Sequence, residues 1–188
     1  MAKKLTITAL KKRLDSISRQ EVVDLVCRLY QKCPDASNML NAEFNGATFV
    51  NDLLEKSKEQ IRNEFFKTRG MDFPSLSKAK KPISEFKKAS KEPKDAIEIT
   101  LYYAECLAEF IAGNGDSPES FYDSLESVFG AVVKLLNKTD SEELFKTFYP
   151  RMELVVKTVE NAGYGIDSQL EDILDENLNW NPEDGKLS

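Results

Sequence analysis

Helix-start signals recur along this chain, each followed by apolar residues three and four apart, and nowhere do apolar and polar residues alternate long enough to build a sheet. That pattern restricts the fold to all-α. A short helix is expected over about Thr8 to Leu14. Ser18 and Glu21 then form a capping box before Val22, Val26, Leu29, Tyr30 and Cys33, and Pro34 ends that element. A third short helix spans about Asp35 to Ala42. Past the Asn45-Gly46 break a longer one carries Phe49, Leu53, Leu54, Ile61 and Phe65 to about Lys67. Ser77 is placed to cap a basic helix over 78–90, Pro93 opens another over 94–112, and Ser117-Pro118 starts one lined by Phe121, Leu125, Val128, Phe129 and Val132. Asp140 and Glu143 repeat the capping-box spacing. Pro150 is expected to kink or split the helix that follows, and a Gly163-Tyr164-Gly165 turn leads to a last helix over 167–178. Eight or nine helices on short links suit an irregular antiparallel bundle or a short α-α superhelix.

A chain of 188 residues suits one helical domain, read as 1–178, followed by a loose tail, 179–188, whose Trp180 can dock. The apolar stretch Leu5 to Leu10 is too short for the core of a signal peptide, and no apolar run approaches the ~18 residues of a membrane span. A cytoplasmic protein with no membrane partner is expected. Cys27, Cys33 and Cys106 show no CxxC spacing and are read as reduced core thiols. Histidine is absent, which removes Ser-His-Asp and Cys-His catalysis, His-containing zinc sites and the Glu-x-x-His di-iron motif. No cofactor, metal site or catalytic residue is expected, and the chain is read as a non-enzyme.

Charge is distributed unevenly. Residues 1–94 carry 20 Lys/Arg against 12 Asp/Glu, whereas residues 95–188 carry 6 against 20. Nine of the cations lie between Lys67 and Lys94. On the basic helix Ala79, Ile83, Phe86 and Ala89 share the core face, Lys80, Lys87 and Lys91 line one flank, and Lys81 and Lys88 form a second row beside Glu85. The next helix is apolar nearly all round, with one narrow acidic row, Glu98, Glu105 and Glu109. Both rows have spacings of seven and four. An antiparallel hairpin would therefore set Lys91 opposite Glu98 and Lys80 opposite Glu109, making the basic segment half of an internal interface. The functional alternative is an anion-binding surface built from Arg69, Lys78, Lys80, Lys81, Lys87 and Lys88 with the free N–H groups at the helix start. Phosphate or carboxylate is the matching ligand. Nucleic acid is disfavoured, because Phe73 and Phe86 do not interleave with the lysines and the chain as a whole is acidic.

Several blocks carry a family resemblance. They are Leu5-Thr-Ile-Thr-Ala-Leu-Lys11, Glu21-Val-Val-Asp-Leu25 with Leu29-Tyr30, Glu64-Phe-Phe before Arg69-Gly70, Leu76-Ser-Lys-Ala-Lys-Lys81 with Ile83 and Phe86-Lys-Lys88, Leu101-Tyr-Tyr-Ala-Glu105, and Glu119-Ser-Phe-Tyr122. Over about residues 5–175 the chain resembles a family of small helical bacterial proteins, the domain of unknown function six-one-five-five. The Arg-Gly and Leu-Ser-Lys-Ala-Lys-Lys blocks are the most specific part. The family pattern has a tryptophan near 163–166, where this chain has Tyr164. The resemblance implies an all-helical fold and supplies no catalytic residues.

The function these features favour is a helical protein-interaction module that binds an unknown protein partner or itself. A basic half and an acidic half can attract each other head to tail. The alternative is anion or nucleic-acid binding through residues 67–94.

Overall fold

The computed structural model describes residues 4–67, 72–115, 117–181 and 186–187. Among them are eight helices: α1 (Ile7–Asp15), α2 (Arg19–Lys32), α3 (Pro34–Phe66), α4 (Leu76–Ala89), α5 (Pro93–Asn114), α6 (Glu119–Asn137), α7 (Glu142–Thr158) and α8 (Ile166–Asn177). The arrangement is a helical bundle built on α5, which packs against α3, α4, α6 and α7, while α8 closes over α6 and α7. The near-continuous apolar surface of α5 explains its central place. Ile97, Leu101, Leu107 and Ile111 are fully buried on it, each contributing roughly 1.5–3 kcal/mol. No helix among the described residues is long and apolar enough to cross a membrane.

The capping chemistry agrees with expectation at α2, where Ser18 accepts from the Glu21 N–H and the Glu21 side chain accepts from the Ser18 N–H. Elsewhere the cap moves. Ser75, two residues before Ser77, accepts from the Lys78 N–H and starts α4 earlier, so that Leu76 joins its first turn. Ser141 caps α7 in place of Asp140, whose φ of 46° places it outside the helix. Pro118 is itself the N-cap residue of α6, with no side-chain cap, and the Ser117 hydroxyl is buried without a partner.

Pro150 neither splits nor ends α7, which runs through it. Pro150 is exposed, so the carbonyl it leaves without an amide partner lies on the watered side of the helix. Asn45-Gly46 separates two helical segments as expected: α3 consists of two helices that meet at a kink there. Gly46 has φ 64° and ψ −149°, near a backbone region closed to residues with a Cβ.

The core begins only beyond that kink. Its first buried residues in chain order are Ser57 and Ile61, and α1 and α2 contribute none. The aromatic rings of Phe65, Phe73, Phe110 and Phe121 pack together with centroids 5.5 to 6.5 Å apart. Tyr103 is fully buried beside them and shares a hydrogen bond of 3.0 Å with Ser124.

The tail expected to be loose is anchored where it begins. Trp180 is buried against Phe145 and Tyr149, and the backbone of residues 180–181 (β1) pairs antiparallel with that of 186–187 (β2). Asn137 reinforces this by donating to the Asn177 carbonyl and accepting from the Asn179 N–H. The cysteines are free, but only Cys106 is in the core. Cys27 is exposed, since α2 buries no residue, and Cys33 is half-buried.

A candidate interaction site on an apolar arm

The lysines of α4 do not converge. Lys81 is paired with Glu85 one turn away, and Lys88 meets Asp35 of α3 at 2.6 Å. Lys91, just past the helix, meets Glu43 of α3 at 2.7 Å. Lys78 is exposed at the first turn. Lys80 lies on the opposite flank with its ammonium 5.7 Å from the centre of the Tyr103 ring, and Lys87 is half-buried with no carboxylate partner among the described residues. Burial lowers the pKa of both Lys80 and Lys87. Arg69 lies outside the described residues.

The acidic row of α5 also finds partners other than those expected. Glu105 accepts from the Arg151 guanidinium of α7 through both oxygens, at 2.7 and 2.9 Å. Glu98 lies between Arg151 and Lys58 of α3, the latter at 2.8 Å, and Glu109 pairs with Arg62 of α3 at 3.1 Å. The expected Lys91–Glu98 and Lys80–Glu109 pairs are absent. Tyr103, where α5 meets Lys80, lies about 140–160° round the helix from Glu98 and Glu105. The acidic row instead faces α3 and α7. Burial opposes the charges of Arg151 and Glu98, but their hydrogen bonds outweigh it, raising the pKa of Arg151 and lowering that of Glu98. Sequence reasoning missed Arg151, although it is the sole arginine after Arg69 and stands in the acidic half.

Two lysines at the end of α4 and just beyond it thus act as a latch. Lys88 and Lys91 hold the first segment of α3, residues 34–45, against the bundle, and α2 packs on that segment with Tyr30 hydrogen-bonded to Asn41. Residues 4–45 form an arm joined to the bundle at the Gly46 kink. The arm buries nothing completely, yet it holds ten of the fourteen large apolar residues that are exposed among the described residues. These include Ile7 at 70% and Phe44 at 80% exposure, with Val23, Val26, Leu29 and Tyr30 on α2. On α2 the apolar residues cover roughly 160° of the helix, wider than the stripe that one neighbour covers. Exposed large apolar residues concentrated in this way are characteristic of binding faces.

A second surface feature lies at the far end of the chain. A cleft of about 560 Å³ between α7 and α8 is lined by Tyr149, Leu154 and Leu174 and rimmed by Glu153, Glu160, Glu171 and Asp175. Among the described residues none of these four acids forms an ion pair, and Leu154 is 60% exposed.

A family model, DUF6155, described as a family of unknown function, matches residues 5–176. The chain belongs to that family. No curated protein and no solved structure matches it.

Within the span matched by DUF6155, two of the sequence blocks quoted above meet in space. Glu64 of the Glu-Phe-Phe block accepts a hydrogen bond of 2.9 Å from the Ser75 N–H, immediately before the Leu-Ser-Lys-Ala-Lys-Lys block. An internal carboxylate therefore sits where α4 would offer its N-terminus to an anion. The shallow groove beside it, about 370 Å³, is lined by Lys67, Lys78 and Lys81 but also by Glu64 and Glu85. Tyr164 packs in a tilted arrangement on Tyr122 with ring centres 4.6 Å apart. Tyr122 in turn donates to the Ala162 carbonyl, so an aromatic at 164 covers the turn.

Proposed function

We propose that the chain is a non-enzymatic protein-interaction module whose binding surface is the apolar arm formed by α1, α2 and the first segment of α3. The observation that carries this reading is the arm's combination of ordered amphipathic helices with no buried residue. An amphipathic helix is stabilised chiefly by covering its apolar face, and α2 covers only part of its own on α3. The titratable groups support a non-catalytic reading, since burial pushes the Tyr103 hydroxyl up to about 12 and the Cys106 thiol up to about 11, toward their unreactive forms. The anion or nucleic-acid alternative is weakened by the separation of Lys80 and Lys87 from Lys81 and Lys88, and by Glu64 at the start of α4.

The test is photo-crosslinking in the cells that make the protein. A photoreactive residue at Val26 should yield a discrete protein adduct that the same residue at exposed Ser84 on α4 does not. Equal labelling at both positions, or none at Val26, removes the reading.

A further inference from the structure

The partner's identity can be narrowed from charge and dimensions. We propose that α1 of one copy docks in the α7–α8 cleft of a second copy, a step that rests on the interaction reading above and names its partner.

Four observations converge on it. The first is charge. Residues 4–33 carry seven cations against three acids, and none of Lys11, Lys12, Arg13, Arg19, Arg28 or Lys32 is ion-paired among the described residues. The cleft presents the opposite sign, with four acids that form no ion pair among the described residues and one lysine, Lys157, in its lining. Two arms brought face to face would set cation against cation, whereas arm against cleft places each beside its complement.

The second is pattern. Ile7, Leu10 and Leu14 form one apolar row on α1, with Lys11 and Arg13 flanking it and Lys12 on the opposite side. The cleft lining combines the complementary kinds of residue, with Tyr149, Leu154 and Leu174 alongside four carboxylates. This is the helix-in-groove mode of recognition.

The third is length. Nine residues of α1 span about 13–14 Å, and the α7 wall from Tyr149 to its end at Thr158 runs about the same length. The helix fits along the wall.

The fourth is freedom of approach. The arm turns from the bundle at Gly46 and is fastened by two exposed lysine–carboxylate pairs, contacts that ordinary salt screens. Reaching another molecule disturbs no buried packing.

Sedimentation velocity of the full chain over a concentration and salt series decides the matter. The wild type should form assemblies larger than a monomer at low salt and lose them at high salt. An arm reversal, K11E with K12E and R13E, should be monomeric, and so should a cleft reversal, E153K with E160K. Mixing the two reversed proteins should restore assembly, because the acidic arm of one meets the basic cleft of the other and the basic arm meets the acidic cleft; one chain carrying both reversals should assemble again for the same reason. All five positions are exposed, and far-UV circular dichroism shows whether each variant is folded. As a measurement that needs no charge change, a photo-crosslinker at Leu154 should label residues 7–15 of another copy.

A wild type that is monomeric throughout overturns the proposal. So does assembly that survives the cleft reversal, a doubly reversed chain that stays monomeric, or Leu154 adducts that avoid α1. An arm crosslinked only to a different protein removes self-docking while the interaction reading stands.

Discussion

Arg151 of α7 holds both carboxylate oxygens of Glu105 of α5, and its remaining donor reaches Glu98, so one guanidinium joins two turns of the central helix to the helix beside it. Side-chain exposure is 30% for Arg151 and 19% for Glu98, low enough for loss of one partner to leave a desolvated charge. Replacing Arg151 with alanine should destabilise the fold by roughly 1–3 kcal/mol, and lysine should recover only part of that because it cannot form the two-pronged contact. Urea titration of the three proteins measures it. Equal midpoints would mean that the network contributes nothing.

Glu98 gives the fold an acid limit. Its folded pKa lies below the ordinary 4.5, so its contribution is present above that value and is lost as pH falls through the lowered one. Thermal midpoints should therefore fall more steeply below about pH 4.5 in the wild type than in Glu98→Gln, which is less stable at neutral pH. Parallel curves would contradict this assignment.

An alkaline limit has the opposite sign. Burial raises Tyr103 from 10.0 to about 12, and the neutral phenol is hydrogen-bonded to Ser124. For an acid whose folded pKa is raised, stability is intact below the unfolded value and declines as pH rises from there toward the folded one. Tyrosinate absorbance should show one hydroxyl ionising only near pH 12 or together with unfolding. Tyr103→Phe should cost about 1 kcal/mol at neutral pH and soften the alkaline decline. A Tyr103 that titrates like the exposed tyrosines would refute the buried placement.

Half-buried Lys87 has no carboxylate partner among the described residues to offset its desolvation, so its folded pKa is lowered and its charge opposes folding until pH rises through that lowered value. Methionine keeps most of the stem's packing without the charge. Lys87→Met should leave stability unchanged or raise it by up to ~1 kcal/mol at neutral pH. A clear loss on denaturant titration would show that Lys87 has a partner.

The helices were legible because their determinants are local. Ser18 and Glu21 cap α2 through atoms three residues apart, and the apolar spacing around Ile97 and Leu107 leaves α5 no place except the centre. The ion pairs were not legible, because equal spacing on consecutive helices says that two rows can match, not that they face each other. Glu98 had α3 and α7 within reach as well as α4, and only the packing of four helices around α5 decides between them. Pro150 misled for a related reason. Its effect depends on whether the freed carbonyl meets water, which is a property of the bundle's surface. The apolar arm was hidden because Val26 and Leu29 read as core whether or not anything covers them.

Gly46 separates what the arm touches from where the arm points. Its backbone angles disfavour other residues, so the turn that directs residues 4–45 is written at one position, while the chemistry of their surface is written at many. Substitutions along α1 and α2 can therefore retune affinity or exchange one partner for another, and the bearing of the arm is inherited unchanged.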